Sequence, residues 1–414
     1  MLRLSRVIIH ARIRSEAAPG RRSCGVFALA TVTIALTAIA SLACAAEPAK
    51  AEPAVVQDFW VINTRCAPGC GELDAGLPQI TYSRLDISSG GCSRQASDAK
   101  GFQDSARPGV PTTVLIHGYG TTAESAVEHG EKWYGLMKQQ AHGHAFRLIV
   151  WSWPSERILR RRRSDVKLKD CRSDVEAYYL ARVLFDLPKG IPLCLVGHSL
   201  GCRTASGSLQ LLAGGSVARR SLAPDVLAVW NKVEHRPIRA IMLAPAMNAD
   251  SLERDCPCGR ATLAVDNILV AINSRDFVLK LYSRLYGRHG PEILGRAGPA
   301  STLGGKLNVV DVSCELGHKH DFDLHQVSSP VCQYMAWYTF LCDAPATAHS
   351  VVSGSNDVKT LRTWTDVSGK YQIEARFVEF KEGTFRLQRA NGSYVRIASD
   401  LLCSADRKFV SNQP

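Results

Sequence analysis

The middle of the chain alternates short apolar runs with longer amphipathic stretches. Phe59–Ile62, Thr112–Ile116, Arg147–Trp151 and Leu193–Val196 are runs of the first kind, and Ile238–Pro245, Asn267–Asn273 and Leu307–Val312 continue the series. Aliphatic and β-branched residues dominate these runs without regular polar alternation, the pattern of strands buried on both faces. Ala123–Gln140 carries Trp133, Leu136 and Met137 on one helical face, and Asp174–Asp186 is amphipathic through Val175, Tyr178, Tyr179, Val183 and Leu184. Ser206–Ala213, Phe277–Tyr286 and Val331–Leu341 read as further helices. Strand and helix taking turns predict an α/β fold with a doubly wound, mostly parallel sheet. Residues 64–111 are Gly- and Ser-rich with extended pieces such as Gln79–Leu85, and they read as the first strands and loops of this domain.

Near the C-terminus the period changes to two. Ala344–Asp357 is rich in Ala, Ser and Gly and reads as a linker. Beyond it, Tyr371–Phe377 alternates apolar and polar residues, and Lys381-Glu382-Gly383 turns the chain into Thr384–Arg389. Asn391-Gly392, a strong hairpin signal, leads into Tyr394–Ala398. The expectation is a main domain over 59–343 followed by a small all-β barrel over 358–414, with nothing catalytic in the barrel.

The N-terminus has a composition of its own. Arg3, Arg6, Arg12, Arg14, Arg21 and Arg22 precede the apolar stretch Val26–Ala40, and Ala43-Cys44-Ala45-Ala46 follows before Glu47. That order is expected of a cleaved export signal over 1–46, with an uncleaved anchor or lipidation at Cys44 as the alternatives. The stretch is short for a membrane span, so no stable span is expected after cleavage. Residues 47–58 read as a mobile leader.

The 414 residues carry a net charge of +12, with 46% hydrophobic and 21% charged residues, as in a globular protein. Loss of residues 1–46 removes six arginines and one glutamate, leaving 44 basic against 37 acidic residues and a net +7. Such a balance does not call for nucleic acid. Cysteines drop from 14 to 12, an even number that suits disulfides in an oxidising compartment, so the chain is expected to be secreted or periplasmic. Cys66, Cys70 and Cys92 lie where staples would help, whereas Cys194 and Cys202 read as buried thiols. Cys256-Pro257-Cys258 is half of a zinc pattern without a second pair at ligand spacing, so no metal is expected.

The chemistry gathers around Gly197-His198-Ser199-Leu200-Gly201, which lies between a predicted strand and a predicted helix. In a G-x-S-x-G turn the glycines omit Cβ atoms that would clash, and the hydroxyl stands clear of the sheet edge. Ser199 is the candidate nucleophile, with the Leu200 N–H at the helix start as an oxyanion donor. The Gly-rich loop His117-Gly118-Tyr119-Gly120 follows the Thr112–Ile116 strand and offers the Tyr119 N–H as a second donor. Asp276 lies just past the C-terminal end of a strand, where ligands bind in such sheets, although it could also cap the next helix. Asp250 is held in reserve. A base working near neutral pH points to histidine. His318 and His320 stand one residue apart in the loop after the last strand, and His325 is a third choice. Arg160–Arg163 lies in a predicted connecting loop and suits a solvated face, an anionic substrate or a membrane.

Ile116-His117-Gly118-Tyr119, Trp151-Ser152-Trp153-Pro154-Ser155, Gly197–Gly201 and Ser274-Arg275-Asp276 together resemble the α/β-hydrolase superfamily from about Phe59 to Leu341. They resemble in particular a bacterial serine-hydrolase branch with a W-P-S box after its second core strand. The order Ser199, Asp276, histidine is that superfamily's order. In Gly317–Phe322 a histidine precedes an aromatic residue by two positions, which also matches and favours His320. The resemblance implies a hydrolase, and the leading expectation is a serine esterase acting on a lipid or other small-molecule acyl ester through an acyl-enzyme, without cofactor. The tail, Leu361–Asp366 with Gly369-Lys370, Asn391-Gly392 and Leu401–Val410, resembles the Sla homology domain, an SH3-like module known from an endocytic adaptor. That implies a protein or peptide partner. The alternative expectation is a cell-envelope binding or scaffold protein that keeps the hydrolase fold for its shape.

Overall fold

The computed structural model describes residues 57–88, 91–231, 236–287, 290–301, 303–343, 362–369, 372–381, 383–389 and 394–411. The expected signal, the linker over 344–357 and the Asn391-Gly392 turn lie outside these residues, as does the leader up to residue 56. Nine strands form one sheet: β1 Gln57–Asn63, β2 Thr81–Ser88, β3 Gly91–Ser97, β4 Thr112–Ile116, β5 Phe146–Ser152, β6 Leu193–His198, β7 Ile238–Leu243, β8 Asn267–Ile272 and β9 Leu307–Asp311. Their order is β3-β2-β1-β5-β4-β6-β7-β8-β9. In the run β1-β5-β4-β6-β7-β8-β9 neighbours are parallel, and the β1–β2 and β2–β3 pairs at the edge are antiparallel. The chain passes from β5 over β4 to β6, so the strand order reverses at β4 and opens a crevice at the C-terminal strand ends.

Successive residues of each strand feed two cores, because side chains alternate across a sheet. Ile62, Ile116, Leu195 and Met242 face the helices Arg162–Phe185 and Leu200–Leu212. Val61, Leu115, Val196 and Ile241 face Ala123–Gln140 and Ser329–Tyr338. β4, β5 and β6 are buried along their whole length, which accounts for runs without polar alternation. The helix Ala123–Gln140 starts where Thr122 accepts a hydrogen bond from the Ser125 N–H.

The second long helix differs from its expected extent. It starts at Arg162 and not at Asp174, so the arginine block runs into its first turn and does not stay in a loop. The added turns lack an apolar stripe because their buried stripe is polar. Asp165 accepts from the Ile158 and Leu159 N–H groups at 2.9 and 2.6 Å, and the Lys169 ammonium donates to the Pro154 carbonyl at 2.7 Å. Asp170 accepts from the Tyr282 hydroxyl at 2.8 Å. Buried polar groups with partners stand in for a hydrophobic face.

The C-terminal sheet has the order β10 Arg362–Thr365, β11 Gln372–Lys381, β12 Thr384–Arg389, β13 Tyr394–Ala398, antiparallel throughout. Trp364, Phe385 and Leu387 form its core with Ala375 and Leu402. The chain is therefore an α/β domain with a large, mostly parallel sheet followed by a small all-β unit. The expected disulfides are not seen among the described residues: Cys66 and Cys70 are exposed free thiols, and Cys194 and Cys202 are buried ones. The Cys92 side chain lies outside the described residues. No helix among them is long and apolar enough to cross a membrane.

Candidate active site

β6 delivers Ser199 into the crevice in a conformation that side chains rarely adopt, with φ 53° and ψ −118°. Three backbone bonds hold it there. The Ser199 N–H donates to the Leu243 carbonyl at 3.0 Å, and the Ser199 carbonyl accepts from the Cys202 and Ala246 N–H groups. Gly197 and Gly201 make the turn possible. A Cβ on Gly197 would lie 2.6 Å from the Cys202 backbone, and one on Gly201 would collide with the Ile116 carbonyl oxygen. Leu200 begins the helix Leu200–Leu212, so its N–H is among the donors that lack an intrahelical acceptor.

The loop after β4 comes up against this turn. A Cβ on Gly118 would stand 3.0 Å from the Ser199 Cβ. The loop is braced by the Trp151–Ser155 segment. The Trp153 N–H donates to His117 Nε2 at 3.2 Å, and the Trp153 indole N–H donates to the His117 carbonyl at 2.9 Å. His117 therefore carries its proton on Nδ1, which lies 3.0 Å from the Gly118 carbonyl. Ser155 accepts from the Thr121 N–H and donates to the Thr121 carbonyl, while its own carbonyl accepts from the Gly120 N–H at 2.8 Å. Tyr119 sits between these fixed points. Burial drives His117 down to about 3, so the brace keeps its neutral ring at ordinary pH.

Asp276 is fully buried, and its two oxygens do different things. One accepts from the Leu279 N–H at 2.9 Å and caps the helix Phe277–Ser283. The other lies 2.6 Å from His320 Nδ1. His318 is exposed, with its Nδ1 at 2.9 Å from the Arg275 carbonyl and no described bond to Asp276. Asp250 is exposed in a turn where its carbonyl accepts from the Glu253 N–H. Of the acid and histidine candidates, the fold thus pairs Asp276 with His320.

Two further residues hold the histidine loop, and neither stood out in the sequence. Asn273, buried at the end of β8, donates from its amide to the Gly317 and Lys319 carbonyls at 2.9 and 3.0 Å. His198, the residue before Ser199, donates from Nε2 to the His320 carbonyl at 3.0 Å, and the two rings lie 4.9 Å apart. Burial pushes His198 well below the usual imidazole range, with the neighbouring His320 and His325 adding to the shift. An Asn at a strand end and a His inside G-x-S are weak signals, because each role depends on a loop 40 or more residues away.

His325 lies behind this group, buried, with no hydrogen-bond partner for either ring nitrogen among the described residues. Burial lowers it to about 4. An unfolded histidine titrates near 6.5, so between these values the unfolded chain binds more protons and stability falls as pH drops from about 6.5 towards 4. Replacement His325→Leu is expected to raise the melting temperature at pH 5, through a gain on the order of 2 kcal/mol there, and to gain less from this effect at pH 7.5. Thermal unfolding at both pH values checks this, and an equal shift at both would refute it.

No three His, Cys, Asp or Glu side chains among the described residues are grouped as metal ligands. Residues 353–414 match the family SLA1 homology domain 1, SHD1. No curated protein matches the chain. Among solved structures, the chain is similar to TT1662 from Thermus thermophilus at 14% identity and a TM-score of 0.33, over 63% of this chain and 93% of that one. It is also similar to an uncharacterized protein from Bacillus cereus, at 14% identity and a TM-score of 0.27, over 54% of this chain and 60% of that one. A third likeness is to the catalytic core domain of an acetyl xylan esterase from Trichoderma reesei, at 13% identity and a TM-score of 0.27, over 56% of this chain and 97% of that one.

Proposed function

We propose that the chain is an exported serine hydrolase that cleaves a carboxylic ester through an acyl-enzyme. The observation that carries this reading is the Asp276–His320 contact, 2.6 Å long, beside a serine on a strained strand-to-helix turn. With Nδ1–H of His320 donating to Asp276, Nε2 keeps a lone pair and is the base. It takes the Ser199 proton as Oγ attacks the ester carbonyl. The oxyanion that forms is held by the Leu200 and Tyr119 N–H groups. Collapse expels the alcohol, which leaves with the proton from His320 Nε2. Water then attacks the acyl-serine by the same route, its proton passing to His320 and on to Ser199 as the acid departs. The steps are complete without a cofactor.

The residue 1–46 composition supports export and thus a secreted or periplasmic site. The SHD1 match supports a second role within the same chain, the tail binding a protein or peptide partner while residues 59–343 do the chemistry. A fluorophosphonate probe tests the catalytic reading. Labelling of the folded chain is expected, mapping to the peptide that holds Ser199. A folded chain that takes no label would shift the assignment to a scaffold that docks partners through its tail.

A further inference from the structure

Fourteen large hydrophobic side chains are exposed among the described residues, and half of them fall in two short segments beside the catalytic group. Ile158, Leu159 and Leu168 belong to the segment that follows the Trp151–Ser155 brace. Phe277, Val278, Leu281 and Tyr286 belong to the one that follows Asp276. Ile158 is 66% exposed and Phe277 54%. The two segments meet. The Lys167 ammonium lies 5.8 Å from the Tyr286 ring centroid, and the Tyr286 hydroxyl donates to Asp170 on the same helix as Lys167. They also reach the site. The Asp165 carboxylate that holds the Ile158 and Leu159 N–H groups stands beside the Tyr119 phenol, and the Phe277 N–H donates to the His318 carbonyl.

The exposed charge between these apolar groups is positive. Arg157, Arg160, Arg161, Arg162, Arg163 and Lys167 are exposed around the first segment, and Arg275, Lys280 and Arg284 around the second. Of the carboxylates within these segments, Asp165, Asp170 and Asp276 are buried and occupied by backbone N–H groups, tyrosine hydroxyls or His320, and the half-buried Glu156 is ion-paired with Arg65. Arg162 and Arg163 even stand in the first turn of a helix, where the dipole disfavours cations, and Arg161 gives that helix no side-chain cap. Local stability does not explain their position. On the helix Phe277–Ser283, Leu279 and Tyr282 face the core, and the exposed side offers Phe277, Val278 and Leu281 interleaved with Lys280. Exposed aromatic and aliphatic groups among cations are what a bilayer interface with anionic lipid accepts.

We propose that this rim is a membrane-docking surface for anionic phospholipid, and that the ester cleaved at Ser199 is an acyl ester drawn from that surface. The second half rests on the hydrolase reading; the first does not. Docking would place Ile158 and Phe277 at the headgroup boundary.

The test uses the full chain carrying Ser199→Ala, so that no lipid is consumed, and vesicles of phosphatidylcholine with or without a third of phosphatidylglycerol. Co-sedimentation is expected with the anionic vesicles, weakening as salt is raised. Ile158→Ser with Phe277→Ser should lower that binding by about tenfold or more at an unchanged melting temperature. Arg161→Glu with Arg162→Glu should lower it about as much and remove most of the salt dependence. The N-terminal segment is common to all variants and cancels in the comparison. Equal binding by all of them, or equal binding to both vesicle types, overturns the proposal. So does a chain that self-associates in solution and is dispersed by the Ile158→Ser, Phe277→Ser pair, since the face would then belong to a second copy. A soluble aryl ester given to the chain with Ser199 intact separates the two readings. Vesicle binding without ester turnover keeps the surface and discards the nucleophile, and turnover without vesicle binding does the reverse.

Discussion

The chain carrying Ser199→Ala is expected to hydrolyse a simple aryl ester at least about ten-thousandfold more slowly than its parent. The size of the effect follows from what is left behind. On the proposed mechanism no acyl-enzyme forms without Oγ, which leaves the Leu200 and Tyr119 N–H groups only attack by water on a held substrate to stabilise. The loss should appear in kcat, because the hydroxyl contributes to bond making and little to binding. The fold should survive: the Ser199 side chain makes no capping bond to the helix Leu200–Leu212, and its backbone bonds to Leu243, Cys202 and Ala246 do not involve the hydroxyl. Steady-state rates on purified protein with matched circular dichroism are the measurement. A residual rate within tenfold of the parent would end the serine assignment.

The second large effect is expected at the acid and the base. Asp276→Asn should cost roughly three to four orders of magnitude in kcat, with little change in melting temperature. The amide oxygen can still accept from the Leu279 N–H and keep the helix capped. The amide nitrogen then faces His320 Nδ1 and donates to it, so the imidazole proton moves to Nε2, the wrong nitrogen for a base. His320→Ala should be at least as damaging, whereas His318→Ala should stay within a few-fold of the parent, because the His318 ring is exposed and turned to the Arg275 carbonyl. If His318→Ala matched the loss of His320→Ala, the pairing would be wrong as a catalytic arrangement.

Much of this architecture is legible without coordinates. β4 coincides with Thr112–Ile116 because a strand buried on both faces favours a short run of β-branched and aliphatic residues without polar alternation, and sequence displays that condition directly. Gly197 and Gly201 are legible for a similar reason, since their need is local. What escapes is any contact whose partner is distant along the chain. Residues 162–171 carry no helical signal ahead of Asp174–Asp186 because their buried side, Asp165, Lys169 and Asp170, is polar and becomes tolerable only once Ile158, Leu159, Pro154 and Tyr282 arrive. The choice between His318 and His320 is of the same kind. Composition treats them alike, the spacing from His320 to Phe322 favours one of them by resemblance alone, and the path of the loop, held by Asn273 and His198, sets which ring meets Asp276. By sequence Asp276 suits either a cap or a site residue; its two oxygens let it cap the helix and meet His320 at once.

The conformation of Ser199 has a consequence for descent. A φ of 53° with a ψ of −118° is a state that glycine enters cheaply and that costs other residues about 1–3 kcal/mol. In a lineage where turnover no longer matters, drift would relieve that cost first, and serine would give way to glycine at 199. Gly197 and Gly201 would not move with it, since backbone atoms of Cys202 and Ile116 occupy the space a Cβ would need. A relic of this fold would then read G-x-G-x-G at the elbow, with Asp276 still in place because the helix after it still wants its cap. An aspartate there would be a poor witness to lost chemistry, and a glycine at 199 a good one.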